Sequence, residues 1–109
     1  MNISNPQVTA YPFLKALYED DYYPDHVLDR GRDILLRLCE RIETERPADP
    51  AGLYVLTQAA TEEFNELQGD DFDIETIGRE EIAEEFWFVA KAYGFAEADV
   101  EELIATRDW

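Results

Sequence analysis

An all-α fold follows from three features of the sequence. Apolar residues recur at i, i+3, i+4 and i+7 over long segments, prolines and a glycine punctuate those segments where helices begin or end, and no run alternates with period two for long enough to make a strand. The simplest arrangement is a compact bundle of four main helices plus a short N-terminal helix. The chain of 109 residues has room for one such core, because domains commonly run to roughly 100–150 residues. Residues 1–10 are polar and unpatterned and read as an N-terminal arm; residues 11–109 read as a single helical domain.

The first helix is expected over Phe13 to Glu19, with Pro12 at its start and Phe13, Leu14 and Leu17 as its anchors. A long second helix begins at Pro24, where Asp25 and Asp29 complement the dipole of the first turns. Its stripe of Val27, Leu28, Ile34, Leu35, Leu38, Cys39 and Ile42 stops at Arg46-Pro47, since the residue before proline is pushed out of the helical region. Gly31 lies on that stripe. Glycine inside a helix costs about 1 kcal/mol relative to alanine, so close approach by a crossing helix or by the N-terminal arm is expected there. The third helix starts with Asp49 as N-cap and Pro50 at the first position, buries Leu53, Leu56, Ala60, Phe64 and Leu67, and ends at Gln68-Gly69. The fourth runs from about Ile74 to Tyr93 along Ile82, Phe86, Val89 and Tyr93, with Gly94 as its stop. In Phe86-Trp87-Phe88-Val89-Ala90 the apolar residues go all the way round, which makes this segment either the most buried part of the bundle or a place where Trp87 and Phe88 meet a partner. A last helix, Glu97 to about Thr106, carries Val100, Leu103 and Ile104.

Charge narrows the function. With 26 acidic residues against 9 lysines and arginines the net charge is −17. Such a polyanion gains nothing from phosphate neutralisation and is repelled by DNA, RNA and anionic lipid, so neither a nucleic-acid nor a membrane-surface role is expected. No segment reaches the roughly 20 apolar residues of a membrane span, and the N-terminus lacks the cationic and apolar regions of a signal peptide. One cysteine, Cys39, cannot form an internal disulfide, and it sits on an apolar stripe where it reads as an inert core thiol. A cytoplasmic setting is the expectation. Five of the cations, Arg30, Arg32, Arg37, Arg41 and Arg46, fall on the second helix, where Asp33, Arg37 and Arg41 form an i, i+4 surface ladder.

Two patterns carry chemistry. The segment Tyr18-Glu19-Asp20-Asp21-Tyr22-Tyr23-Pro24-Asp25 interleaves tyrosines with carboxylates between two helices, and rigid tyrosines supply contact energy in protein interfaces. Small helical immunity proteins of nuclease bacteriocins are locally similar, presenting a Tyr-Tyr-Pro among acids to a basic enzyme. The first reading is therefore a non-enzymatic interaction module that docks on a basic protein surface through Tyr18, Asp20, Asp21, Tyr22, Tyr23 and Asp25 and the acidic faces of the fourth and last helices, with Trp87, Phe88 and Trp109 as candidates for a homodimer seam and no cofactor. The second pattern is paired carboxylates on consecutive helices, Glu63 with Glu66 and Glu81 with Glu84. Facing each other across a bundle, such pairs could hold Mg or Mn through oxygen ligands. This resembles the Glu-x-x-Glu and Glu-x-x-Asp motifs of all-α nucleoside-triphosphate pyrophosphohydrolases, and gives the alternative of a divalent-metal-dependent phosphohydrolase. The second motif departs from that pattern by ending in Glu84, and Glu66 points away from the buried stripe of its helix. His26, the only histidine, has no partner that would make a metal or nucleophile site. A third reading is that acidity only confers solubility.

Over nearly the whole chain, Tyr11-Pro-Phe-Leu-Lys with the Tyr-Glu-Asp-Asp-Tyr-Tyr-Pro-Asp that follows, Leu56-Thr-Gln-Ala-Ala-Thr-Glu-Glu-Phe-Asn, Phe86-Trp-Phe-Val-Ala-Lys-Ala-Tyr-Gly-Phe and Asp99-Val-Glu-Glu-Leu-Ile-Ala-Thr-Arg-Asp-Trp resemble a family of small acidic bacterial proteins of unknown function. The resemblance implies a stand-alone cytosolic protein and transfers no catalytic or binding residue.

Overall fold

Three long helices carry the stripes read from the sequence. A computed structural model describes residues 3–69 and 73–109, among which the order is α1 (Pro6–Thr9), α2 (Lys15–Tyr18), α3 (Asp25–Glu45), α4 (Pro50–Leu67), α5 (Thr76–Ala92) and α6 (Val100–Leu103). The fold is all-α. Every apolar position expected on the second helix is buried in α3, from Val27 and Leu28 to Cys39 and Ile42. It packs chiefly against α4, while α5 gathers α1, α2, α3 and α6 around its apolar face.

The caps behave as their residues dictate. Asp49 adopts an extended conformation and accepts a hydrogen bond from Gly52 N–H at 2.9 Å, with Pro50 beginning the helix. Gly94 takes φ of 86° just past α5, a conformation that costs glycine nothing. Gly31 marks the expected close approach, since a Cβ there would lie 3.1 Å from both the Leu14 Cδ1 and the Phe64 Cε1 atoms.

Both ends of the chain depart from expectation. Residues 4–10, read as an unpatterned arm, are docked: Asn5 caps α1 by accepting from Gln7 N–H, and Val8 is buried in the core. The helix expected from Phe13 is only one turn, because Leu14 enters the left-handed region with φ of 63° and Lys15 begins α2. The last helix shrinks from Glu97–Thr106 to Val100–Leu103, so the fourth main helix of the expected bundle is a single turn. Its remaining carbonyls turn instead to α4. Gln58 donates to Glu102 O, Thr61 to Leu103 O and Asn65 to Thr106 O, while Thr106 donates back to Gln58 O and Gln68 donates to the Asp108 carboxylate. With Tyr54, whose hydroxyl accepts from Asp99 N–H, these residues form a polar stripe along α4 at helical spacing.

Candidate functional site

The loop between α2 and α3 meets the first turn of α5. Asp20 Oδ1 accepts from Tyr22 N–H at 2.9 Å, an Asx-type bond that fixes the turn. The Tyr22 hydroxyl then donates to Glu75 Oε1 at 3.2 Å, reaching the residue that precedes α5. Tyr23 packs edge-on to Tyr22 with ring centroids 4.8 Å apart and an interplanar angle of 85°. Tyr23 is itself core, 5% exposed, because Gly78 leaves room for it: a Cβ on that glycine would lie 2.8 Å from the Tyr23 hydroxyl. Between loop and helix lies a groove of about 420 Å³ lined by Asp20, Tyr22, Tyr23, Glu75, Thr76 and Ile77. Tyr22 is 55% exposed and Ile77 64%, and with Val55 they are the exposed large hydrophobic residues among those described.

The other members of the aromatic-acidic segment serve differently. The Tyr18 hydroxyl donates to Asp29 at 2.6 Å, joining α2 to α3, and burial with that bond raises its pKa to about 12. Asp21 and Asp25 are exposed. The acidic stretch beyond α4 falls partly on Asp70, Asp71 and Phe72, which lie outside the described residues.

Two carboxylates clasp the N-terminal segment. Glu85, 1% exposed, accepts from the Tyr11 hydroxyl at 2.5 Å and from Leu14 N–H at 2.7 Å. That second bond holds the left-handed turn that L-residues ordinarily avoid at a cost of roughly 1–2 kcal/mol. Burial pushes the Glu85 carboxyl up from the usual range, against the two hydrogen bonds that favour its ionised form, and Glu81 and Glu84 push it further up. Glu43 accepts from Ser4 N–H, Ser4 Oγ, Asn5 N–H and the Tyr93 hydroxyl. Partial burial opposes ionisation, but the Tyr93, Ser4 and Asn5 donors together hold this carboxyl down at about 2. Cys39 is buried beneath, its thiol pushed up to about 12 by burial, as an inert core thiol should be.

The paired glutamates are not gathered into one centre. Glu63 is taken by Arg37 of α3 at 2.9 Å, and Glu66 lines the same α3–α4 cleft with Arg30 and Asp33. Glu81 and Glu84 lie instead within electrostatic reach of Tyr11 and Glu85, Glu81 half-buried and Glu84 exposed. Among the described residues no three His, Cys, Asp or Glu side chains are grouped as metal ligands would be. The surface ladder is also rearranged, with Arg37 crossing to α4 and Arg41 pairing with Glu45 of its own helix.

The apolar girdle of α5 is largely covered. Phe86, Val89 and Ala90 are fully buried; Tyr11 stacks on Phe88 at 3.7 Å and 14°, and the Lys91 ammonium lies 5.3 Å above the Trp87 ring. Trp87 and Phe88 are consequently half-buried. Trp109 packs edge-on to Phe64, its indole N–H buried with no acceptor among the described residues. His26 is exposed at the start of α3. No helix among the described residues is long and apolar enough to cross a membrane.

The model of a family of unknown function, DUF5713, matches residues 7–109. The chain belongs to that family. No curated protein and no solved structure matches it. The stretch shared with DUF5713 takes in the whole groove and both clasping glutamates, and begins after Ser4 and Asn5. Of the residues that line this groove, the sequence singles out Asp20, Tyr22 and Tyr23 but not Glu75 and Ile77, which are brought there only by the approach of α5. An available signal was Ile77 itself, an isoleucine off the Ile82–Phe86–Val89 stripe.

Proposed function

We propose that this protein is a non-enzymatic interaction module that docks on a basic protein surface, with the groove between Tyr22 and Ile77 at the centre of the contact. One observation carries the reading: two exposed large hydrophobic residues, Tyr22 and Ile77, line a groove whose charged residues are the carboxylates Asp20 and Glu75. Apolar anchors inside an acidic rim are the complement of a basic surface with an apolar side chain at its middle. The net charge of −17 steers such a partner in, and disfavours nucleic acid and anionic membranes for the same reason.

The test is the Tyr22→Ala/Ile77→Ser double variant, titrated by fluorescence anisotropy with a labelled peptide of alternating leucine, lysine and arginine, and with its charge-reversed counterpart. Binding of the basic peptide should weaken about tenfold or more, as expected for removing two anchors of an interface. The thermal midpoint should barely move, since the truncated side chains are mainly solvent-exposed. Equal binding by variant and wild type would sink the proposal.

A further inference from the structure

The groove's chemistry is more selective than a general affinity for basic surfaces. The Tyr22 ring is held at two points, by the edge-on contact with Tyr23 and by its hydroxyl bond to Glu75, and it remains 55% exposed. Asp20 engages Oδ1 with Tyr22 N–H and Glu75 engages Oε1 with the Tyr22 hydroxyl, so among the described residues each keeps a second oxygen without a partner. No lysine or arginine lines the groove, and no ion pair among the described residues involves either carboxylate. The start of α5 alone would favour an anion through its dipole. Two carboxylates at that end reverse the preference.

We infer that the groove receives an arginine of the partner, its guanidinium over the Tyr22 ring and between Asp20 and Glu75, with a neighbouring aliphatic side chain on Ile77. This inference rests on the docking reading and names the partner's anchor. Three features favour arginine over other cations. A planar, weakly hydrated guanidinium stacks on an aromatic face, and its several donors can reach two separate carboxylates at once. Lysine offers a compact, strongly hydrated charge that stacks less well. A hard divalent ion needs about six or more oxygens and has no use for an aromatic wall. The groove, at about 420 Å³, falls within the roughly 300–1,000 Å³ of small-ligand clefts.

The experiment is a titration of the ¹⁵N-labelled full chain, followed by amide chemical shifts, with three capped tripeptides: Ile-Arg-Gly, Ile-Lys-Gly and Ile-citrulline-Gly. Citrulline keeps the shape of arginine and removes its charge. The arginine peptide should shift the Tyr22, Glu75 and Ile77 amides at millimolar concentration, the lysine peptide should bind at least about threefold more weakly, and the citrulline peptide should leave these amides in place. In Tyr22→Leu, which keeps an apolar side chain at an exposed position, the preference for arginine over lysine should vanish; in Tyr22→Phe, which keeps the ring, it should persist. Equal binding of arginine and lysine, or a preference that survives in Tyr22→Leu, overturns the inference while leaving the docking reading intact. Failure of the longer basic peptide to bind the wild type overturns the docking reading itself, and this inference with it.

Discussion

The two ends of the chain are tied to the bundle by different chemistry. Residues 4–14 are fastened by carboxylates: Glu43 accepts from Ser4, Asn5 and Tyr93, and Glu85 from Tyr11 and Leu14. Residues 99–108 are fastened mainly by uncharged groups, the hydroxyls and amides of Tyr54, Gln58, Thr61 and Asn65 on α4. Both devices satisfy backbone groups that short helices leave open. The first rests on two carboxylates throughout, whereas the second draws on a carboxylate chiefly at Asp108, held by Gln68. In a chain this acidic, Glu43 and Glu85 turn part of an otherwise repulsive charge into hydrogen-bond acceptors, and the N-terminal segment becomes the part of the fold most sensitive to pH.

The largest effect should come from Glu85. Its replacement by alanine leaves the buried Leu14 N–H and the Tyr11 hydroxyl without an acceptor and opens a gap beside Phe86, a combined loss of about 3 kcal/mol. Glu85→Gln is expected to be far milder, under about 1 kcal/mol, because the amide oxygen can accept from Leu14 while its NH₂ donates to a rotated Tyr11 hydroxyl. Urea denaturation of both variants at pH 7 measures the difference. Equal losses would mean that Glu85 contributes by filling space and not as a clasp.

A pH series separates the two clasps by sign. The Glu43 carboxyl is held at about 2, below the ordinary glutamate value of 4.5, so the stability it contributes is present above about pH 4.5 and is lost as pH falls toward 2. Glu85 is raised, so it acts in the opposite sense: its protonated form is favoured in the fold, and that contribution is lost as pH rises through its folded pKa. Glu43→Gln should therefore be less stable than wild type above pH 4.5 and converge with it as pH drops toward 2. The separation should be smaller than the loss in Glu85→Ala, since Glu43 is partly solvated. Denaturant midpoints from pH 2 to 7 give the two curves. Parallel curves would show that Glu43 makes no stronger bonds in the fold than in the unfolded chain.

How far the sequence reveals these devices depends on what each residue needs for its role. Asp49-Pro50 and Gly94 are local signals, satisfied within a few residues, and the caps they predict are the caps observed. The stripe of α3 is likewise set by one helix and one core. Glu85 is different. On α5 it is one glutamate among several, and nothing nearby in sequence distinguishes it from Glu80 or Glu84; its burial depends on Tyr11 and Leu14 arriving from more than 70 residues away. The groove depends on the same kind of arrival, since the tyrosine loop was visible as a cluster while Glu75 and Ile77 acquire their meaning only beside it. The shortened last helix is partly readable, because Gln58, Thr61 and Asn65 form a polar stripe that competes for the carbonyls its final turn would otherwise use.

That stripe sharpens the contrast between the ends through Asn65, which makes two bonds to the C-terminal segment. Its Nδ2 donates to Thr106 O and its Oδ1 accepts from Asp108 N–H, both at 3.0 Å. Each is a neutral bond in contact with solvent, so Asn65→Ala should cost only about 1 kcal/mol, with water replacing part of what is lost. The loss should be local, appearing as faster hydrogen exchange at the Asp108 amide, because this segment can fray while the buried contacts of Leu103 and Ile104 persist. It should also be the same at pH 3 and pH 7, since neither group of Asn65 titrates. A cost that follows pH as that of Glu43→Gln does would show that the C-terminal fastening also depends on ionisation and erase the distinction between the ends.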